Sequence, residues 1–577
     1  MTTSFRVWAP NARQLTLQLD GHDHRMPAVG GGWWALEVES AGPGSRYAFG
    51  VDRGPARPDP RSHSQPDGVH GPSEVVDHDV FRWHDTRWRG LSLQGSVLYE
   101  LHIGTFSPAG TFDGALPYLD HLVELGVDAI ELLPVAEFSG DRGWGYDGVD
   151  LFAPHHTYGG PDGLKRLVDA CHLRGLGVVM DVVYNHLGSS GNYLPEFGPY
   201  FSDGRQTHWG PAVNFDGPES GEVRRFVIDN ALMWLRDYHC DGLRLDAVHA
   251  VIDESPLHIL EQLASEVDAL ACHLRKPLFL IAESDLNDPR LVESSARGGY
   301  GLQAAWADDW HHALHAVLTG ERDGYYADYG SLSDLTKALR QAWVYDGRFS
   351  VYQRKERGRR PTGLKGHQFV VCTQNHDQIG NRARGERLAC LTTPARLKLA
   401  AALLLTSPFV PLLFQGEEWA AGTPFQYFVD FEDPDLRTAV RDGRRREFAR
   451  FGWDPEQLPD PNDPQTFARS KLDWTELDQH EHLDICNWYR RLICLRRTVP
   501  ALTDPRLDRH QVTCDGAGSW FLIQRGRYLV AASLSPSPAV VPVPERTTLV
   551  AASGSSVSLY GQDLLLPPDH AAILETP

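Results

Sequence analysis

Three carboxylates close three apolar runs in this chain. Gly242-Leu243-Arg244-Leu245-Asp246 delivers the first, Ala282-Glu283-Ser284-Asp285 the second, and Gln374-Asn375-His376-Asp377-Gln378 the third. Acids at the ends of strand-like segments are what glycosidic bond cleavage requires. One acts as nucleophile, one donates a proton, and one supports the charged transition state. Asp181, Arg244 and His376 occupy similar positions. A single acid at a strand end is commonly a helix cap or a loop ion pair. Six polar groups at four strand ends need another explanation, because buried charge is costly unless paired or used.

These groups meet only if the strands that carry them line one barrel. From about residue 96 the chain alternates apolar strand and amphipathic helix. Strand candidates lie at 97–105, 129–135, 177–184, 242–246, 277–282, 302–307, 369–374 and 410–415, the run at 302–307 carrying the weakest signal. Several are continuous Val/Ile/Leu runs, as expected of parallel strands buried on both faces. Helices are predicted between them, for example at 161–173 and 220–238, and another at 482–497. The chain is therefore read as α/β, with a (β/α)8 TIM barrel whose strand C-terminal ends form the active site.

The flanks read differently. In residues 1–90, Phe5 and Val7 alternate with polar neighbours, as do Leu15, Leu17 and Leu19, and Gly30-Gly31-Gly32 precedes Trp33. Short strands with Gly and Pro punctuation predict an N-terminal β-sandwich, with a long loop at 52–71. Alternation returns at Trp520-Phe521-Leu522-Ile523 and Tyr528-Leu529-Val530, predicting a C-terminal antiparallel β-sandwich at 501–577. The barrel domain then spans 91–500, with loop insertions near 188–215 and 420–480.

The formal charge of −21 over 577 residues argues against a nucleic-acid partner, since phosphate binding needs a basic face. There is no 18-residue apolar run, so no membrane span is expected. The eight cysteines form no CxxC pair, and the start carries no signal-peptide pattern. Free thiols in a cytoplasmic protein follow as the expectation. Cys171 falls on the apolar stripe Leu164, Leu167, Val168 and is expected in the core.

Asp181-Val182-Val183-Tyr184-Asn185-His186, 242–246, 282–285 and Asn375-His376-Asp377 resemble, in order, the four signature regions of the α-amylase superfamily of glycoside hydrolases. The resemblance spans essentially the whole chain and implies a retaining mechanism. It makes Asp246 the nucleophile, Glu283 the acid/base and Asp377 the transition-state stabiliser. It implies that Arg244 ion-pairs with Asp246, that His186 and His376 hydrogen-bond the reacting sugar, and that Tyr146, in Gly143-Trp144-Gly145-Tyr146-Asp147, stacks on it. Trp209, Trp306, Trp310 and Trp419 are candidates either for sugar contact or for core packing. Glu417 and Glu418 are expected as loop ion-pair acids.

Finer resemblance, in 375–382, 282–285, 307–312 and 246–249, is to the maltooligosyl trehalose trehalohydrolases. It implies hydrolysis of the α-1,4 bond next to a terminal trehalose unit. His249 and Ala250 replace the Lys-His pair usual in α-amylases, so His249 is expected to shape the leaving-group side. Asp308 and Asp309 are candidates for hydrogen bonds to sugar hydroxyls there, or for helix-start acids. The alternatives are a glycogen branching enzyme, a general α-1,4-glucan hydrolase, and a non-catalytic glucan-binding barrel; the complete acid triad argues against the last. No cofactor is implied. Asn185 could match one calcium ligand of α-amylases, but 188–215 offers no partner set, so no metal is expected. The implied partners are the maltooligosyl trehalose substrate and, functionally, the synthase that makes it.

Overall fold

Alternation builds the N-terminal strands. Thr3–Trp8 and Leu15–Leu19 turn Phe5, Val7, Leu15, Leu17 and Leu19 inward, because successive strand side chains point to opposite faces. Thr3–Trp8 pairs antiparallel with Trp33–Val38, from Thr3 opposite Val38 to Trp8 opposite Trp33. A second antiparallel sheet runs His22–Met26, Leu15–Leu19, Arg46–Val51, Ala56–Arg57, with Ser73–Glu74 also on Arg46–Val51. The computed structural model describes residues 2–449, 458–515 and 520–577.

Leu98–Leu101, Ala129–Leu132, Gly177–Val182, Gly242–Leu245, Phe279–Ala282, Ala304–Trp306, Phe369–Cys372 and Val410–Phe414 close a parallel barrel in chain order. Each lies within a predicted strand, although the real strands are shorter. The first stops at Leu101, and Ile103–Phe106 turns into a helix. The strands are buried throughout because helices cover the barrel outside and side chains fill it inside. Leu98, Val179, Ile281, Trp306, Val370 and Leu412 belong to the interior cluster. Glu100, Glu131, Asp181 and Arg244 are barrel-strand residues buried with them.

Gly160–Leu173, Ser220–Arg236, Ile259–Leu274, Asp308–Thr319, Pro394–Leu405 and His480–Thr498 are the main helices. Cys171 is fully buried on the first, and burial pushes its thiol up. Arg496 of the last helix donates to the carbonyls of Leu405, Ser407 and Phe409. It ties that helix to the entry of the eighth barrel strand.

The excursion after the third strand holds the short helix Leu194–Phe197 and the hairpin Phe201–Thr207/Gly210–Val213. The one after the eighth holds Pro434–Ala449, Pro464–Arg469 and Trp474–Asp478, with 450–457 outside the described residues. A third excursion, between strands six and seven, was not expected from the sequence. It comprises Leu332–Gln341 and the hairpin Asp346–Ser350/Lys355–Gly358. The hairpin is charged and largely exposed, so no apolar alternation marks it.

The C-terminal region forms a five-stranded antiparallel sheet, His510–Cys514, Trp520–Arg525, Tyr528–Ser533, Ala571–Glu575, Thr548–Ala552, and a three-stranded one, Ala539–Pro542, Asp563–Leu566, Ser558–Tyr560. Val541, Leu564, Leu566, Ala531, Leu529 and Leu574 pack between them. Among the described residues no helix is long and apolar enough to cross a membrane.

Candidate active site

One guanidinium organises the barrel mouth. Arg244 sits on strand four directly opposite Asp181 of strand three. Its Nη1 donates to both oxygens of Asp181 at 2.9 Å and to Asp246 Oδ1 at 2.6 Å. Its Nη2 lies 3.8 Å from Glu283 Oε2. The Trp306 ring covers the guanidinium at 4.4 Å, an attractive cation–π arrangement. Arg244, expected as the ion-pair partner of Asp246, is fully buried. It faces carboxylates rather than solvent.

Asp246 and Glu283 follow the last residues of their strands. Asp246 N–H donates to the Val182 carbonyl and Glu283 N–H to the Leu245 carbonyl, so the ladder fixes both backbones. Ala247 then adopts φ 38°, a left-handed conformation unusual for a residue with a Cβ and worth about 1–3 kcal/mol of strain. That turn aims the Ala247 N–H at Glu283 Oε2, 2.6 Å away. Oε1 is the oxygen left to carry a proton. Burial pushes the Glu283 carboxyl well above the usual range; Arg244 opposes this, while Asp246, Asp308 and Asp377 add to it.

His376 starts the short helix after strand seven. Its Nδ1 lies 2.6 Å from Glu100 Oε1 and its Nε2 2.8 Å from the Tyr146 hydroxyl. The Tyr146 hydroxyl in turn donates to Asp181 Oδ2 at 2.7 Å. Donation to Asp181 leaves that hydroxyl as acceptor toward His376, so both ring nitrogens carry protons. Burial alone would lower the His376 pKa, but the charges of Asp377 and Glu100 and the Glu100 hydrogen bond raise it to about 9. A pKa raised in the folded state contributes stability that is complete below the ordinary value near 6.5 and is lost as pH rises through about 9. The full contribution is of order 3 kcal/mol. Thermal unfolding between pH 6 and 10 should therefore show the wild type losing stability across that window more steeply than His376→Gln. Parallel curves would remove this role for His376.

Tyr146 stacks on His376 with centroids 5.2 Å apart. Gly145 allows this approach: its φ is +98°, and an added Cβ would stand 2.0 Å from the Pro134 carbonyl oxygen. His186 is buried, with Nε2 3.0 Å from the Tyr146 carbonyl and Nδ1 3.0 Å from Asn185 Oδ1. Trp209, from the hairpin of the 188–215 excursion, is 48% exposed and stacks over His186 at 5.3 Å. Trp306, Trp310 and Trp419 are buried. Glu418 is buried, accepts the Tyr99 hydroxyl and lies 2.9 Å from His121 Nε2. Glu417 instead accepts the hydroxyls of Thr373 and Tyr489. It is not the loop ion-pair acid expected, because it is buried beyond reach of a cation.

Asp377 is the most open of the three acids, its side chain 45% exposed. It borders a cavity of about 380 Å³ that the sequence did not foreshadow. Asp308 lies on the same wall, and burial raises its carboxyl to about 7, with the charges of Asp377 and Asp285 adding. Asp309 borders it too, yet its oxygens accept from Asn287, Tyr329 and the N–H groups of Val344 and Tyr345. Tyr325, Tyr329, Tyr345 and Tyr352 complete an aromatic wall, and Arg357 of the unexpected hairpin pairs with Asp285 at 2.7 Å. The density of tyrosine between 325 and 352 was the available signal. His249 is exposed on the turn Val248–Ala250, just beyond Asp246.

Residues 1–61 match the family "Carbohydrate-binding module 48 (Isoamylase N-terminal domain)" and residues 62–206 match "Alpha amylase, catalytic domain". The chain is 51% identical to the malto-oligosyltrehalose trehalohydrolase of Arthrobacter ramosus over 96% of both chains. It is 48% identical to that of Rhizobium sp. (strain M-11) over 99% of this chain and 97% of the other. Among solved structures, a putative α-amylase from Salmonella typhimurium superposes with a TM-score of 0.92 at 38% identity, covering 100% of this chain and 98% of that one. The acids gathered at the mouth of a TIM barrel and matches of 48–51% identity over nearly the full length lead to one assignment. The chain belongs to the malto-oligosyltrehalose trehalohydrolases of the α-amylase superfamily.

Proposed function

We propose that this chain hydrolyses the α-1,4-glucosidic bond adjacent to the terminal trehalose unit of maltooligosyl trehalose, releasing trehalose by a retaining double displacement. The observation that carries the reaction type is the placement of Asp246 and Glu283 at one guanidinium, with Glu283 pushed toward its protonated form. Asp246 attacks the anomeric carbon while Glu283 protonates the leaving oxygen. Glu283, now ionised, then takes a proton from the water that releases the sugar. Asp377, open to the cavity, stabilises the positive charge that develops on the ring in the transition state of each step. Tyr146, His186 and His376 bind the reacting sugar, and Arg244 holds Asp246 in its attacking position.

The leaving group is trehalose, and the tyrosine-lined cavity beside Asp377 supports its placement there. Sugar rings present apolar faces to aromatic side chains and hydroxyls to acids. Asp308, beside Asp377 on this wall, has no described hydrogen-bond donor of its own, whereas Asp309 fixes the wall. His249 shapes the leaving-group side. The chain divides into an N-terminal module (1–90), the barrel (91–500) and the C-terminal sheets (501–577). It works in the cytoplasm, where eight unpaired thiols persist, and consumes the product of a maltooligosyl trehalose synthase.

Product analysis on maltopentaosyl trehalose and maltohexaose, side by side, tests this reading. Fast trehalose release from the first with little cleavage of the second is expected. Equal cleavage of both points to a general α-1,4-glucan hydrolase, and new α-1,6 linkages without trehalose to a branching enzyme. The double variant His249→Lys/Ala250→His should raise activity on maltohexaose relative to the trehalose-ended substrate. An unchanged ratio would remove His249 from specificity.

A further inference from the structure

The chain between barrel strands two and three leaves as Ala136–Glu137 and returns as Asp150–Pro154, an antiparallel pair, before running into His155 and His156. This pairing closes the base of the loop that presents Tyr146. Glu137 is buried at its centre. Its Oε1 lies 3.0 Å from His155 Nδ1 and 2.8 Å from His156 Nδ1, and its Oε2 accepts the His156 N–H at 2.8 Å. One donor atom from each of the three side chains falls within 4.8 Å of the others.

A hydrogen-bonded cluster accounts for His156, which is aligned on Glu137. It does not account for His155. That imidazole is 0% exposed and stacks on Phe138 at 3.8 Å; its Nδ1 faces only the Glu137 carboxylate that His156 already uses, and its Nε2 has no hydrogen-bond partner among the described residues. A buried ring with an unpartnered nitrogen, and a second that shares one carboxylate oxygen with another histidine, costs stability unless a further partner joins them. Asp150 Oδ2, in the returning strand, is likewise buried without a partner. His156, in contrast, is partly open, its side chain 26% exposed, and it borders a cavity of about 710 Å³ between the N-terminal strands and the barrel. An ion could enter by that route.

We infer that Glu137, His155 and His156 bind a divalent transition-metal ion of the zinc class, which fastens the base of the loop carrying Tyr146. Two imidazoles and one carboxylate form a nitrogen-rich set that suits zinc and its neighbours. Calcium and magnesium prefer oxygen ligands and are disfavoured here. These donors lie outside the 188–215 excursion and outside the catalytic centre. Binding would stabilise the folded chain, since the three donors assemble only on folding.

Calorimetric titration of the chelator-treated full-length protein with Zn2+ tests the site, with thermal unfolding as a second readout. One tight equivalent and a rise in Tm of a few degrees are expected, with no comparable response to Ca2+. Both Glu137→Gln and His156→Gln should lose the tight equivalent and the Tm rise. His156→Gln alters a partly exposed side chain, so it should fold and keep its hydrolytic rate. No tight binding by the wild type, or unchanged binding in a folded His156→Gln, would overturn the inference.

Discussion

Glu283→Gln should lower kcat by about 10²–10⁴-fold, the range attributed to a positioned acid/base, without altering the fold. The substitution is nearly isosteric. The glutamine carbonyl can accept the Ala247 N–H that now bonds Glu283 Oε2 at 2.6 Å. What disappears is the proton on the other oxygen. Stability should change little, or rise, because burial already disfavours the charged carboxylate at this position. The loss should depend on the leaving group. An aryl glycoside with an acidic phenol needs little protonation to depart, so its first step should be far less impaired than that of the natural substrate. The pH profile carries the same signature. The wild-type rate should fall on the alkaline side as Glu283 loses its proton, and the variant should lack that limb. A variant within about tenfold of the wild-type rate on maltooligosyl trehalose would remove Glu283 from the acid role.

The barrel was legible because fully buried parallel strands write themselves as unbroken apolar runs, and the runs near Val179 and Leu412 are of that kind. The site was legible because Asp246, Glu283 and Asp377 end such runs. Three things were not. Glu100 and Glu131 interrupt their strands as a solvent-facing residue would, and only the closed barrel turns them inward. The role of Glu100 appears once the chain has brought His376 to it from strand seven. Asp308 and Asp309 are neighbours in sequence and equivalent as helix-start acids. Their fates divide because a helix rotates successive side chains by about 100°: one borders the cavity without a described donor, and the other is bound by Asn287, Tyr329 and two backbone N–H groups. The tyrosine wall comes from connecting segments with no apolar period, so periodicity could not order it.

Arg244→Met should destabilise the protein by about 3–5 kcal/mol, the usual result of removing one partner from a buried ionic group. The reasoning rests on how many carboxylates depend on this side chain. Asp181 is held by it through both oxygens, Asp246 through a 2.6 Å bond, and Glu283 lies 3.8 Å from it. Glu131 stands in the same barrel interior, and burial together with the charges of Glu100 and Asp181 pushes its carboxyl well up, against the pull of Arg244. Methionine fills similar volume and can pack under Trp306, but it removes the guanidinium these acids share and leaves His376 as the cation that remains beside Asp181 and Glu131. Arg244→Lys separates charge from geometry. An ammonium restores one positive charge and should recover much of the stability. It cannot reproduce the planar fork that bonds Asp181 and Asp246 through Nη1 while Nη2 faces Glu283. Asp246 is then held less firmly against the anomeric carbon, and a misplacement of about 1 Å can cost of order 10²-fold in rate. Urea unfolding and steady-state kinetics on the two variants read the two effects apart. Arg244→Lys should be near wild type in unfolding midpoint and impaired about 10²-fold or more in kcat. If it retained the wild-type rate, Arg244 would be a charge that stabilises the barrel and not the group that positions the nucleophile.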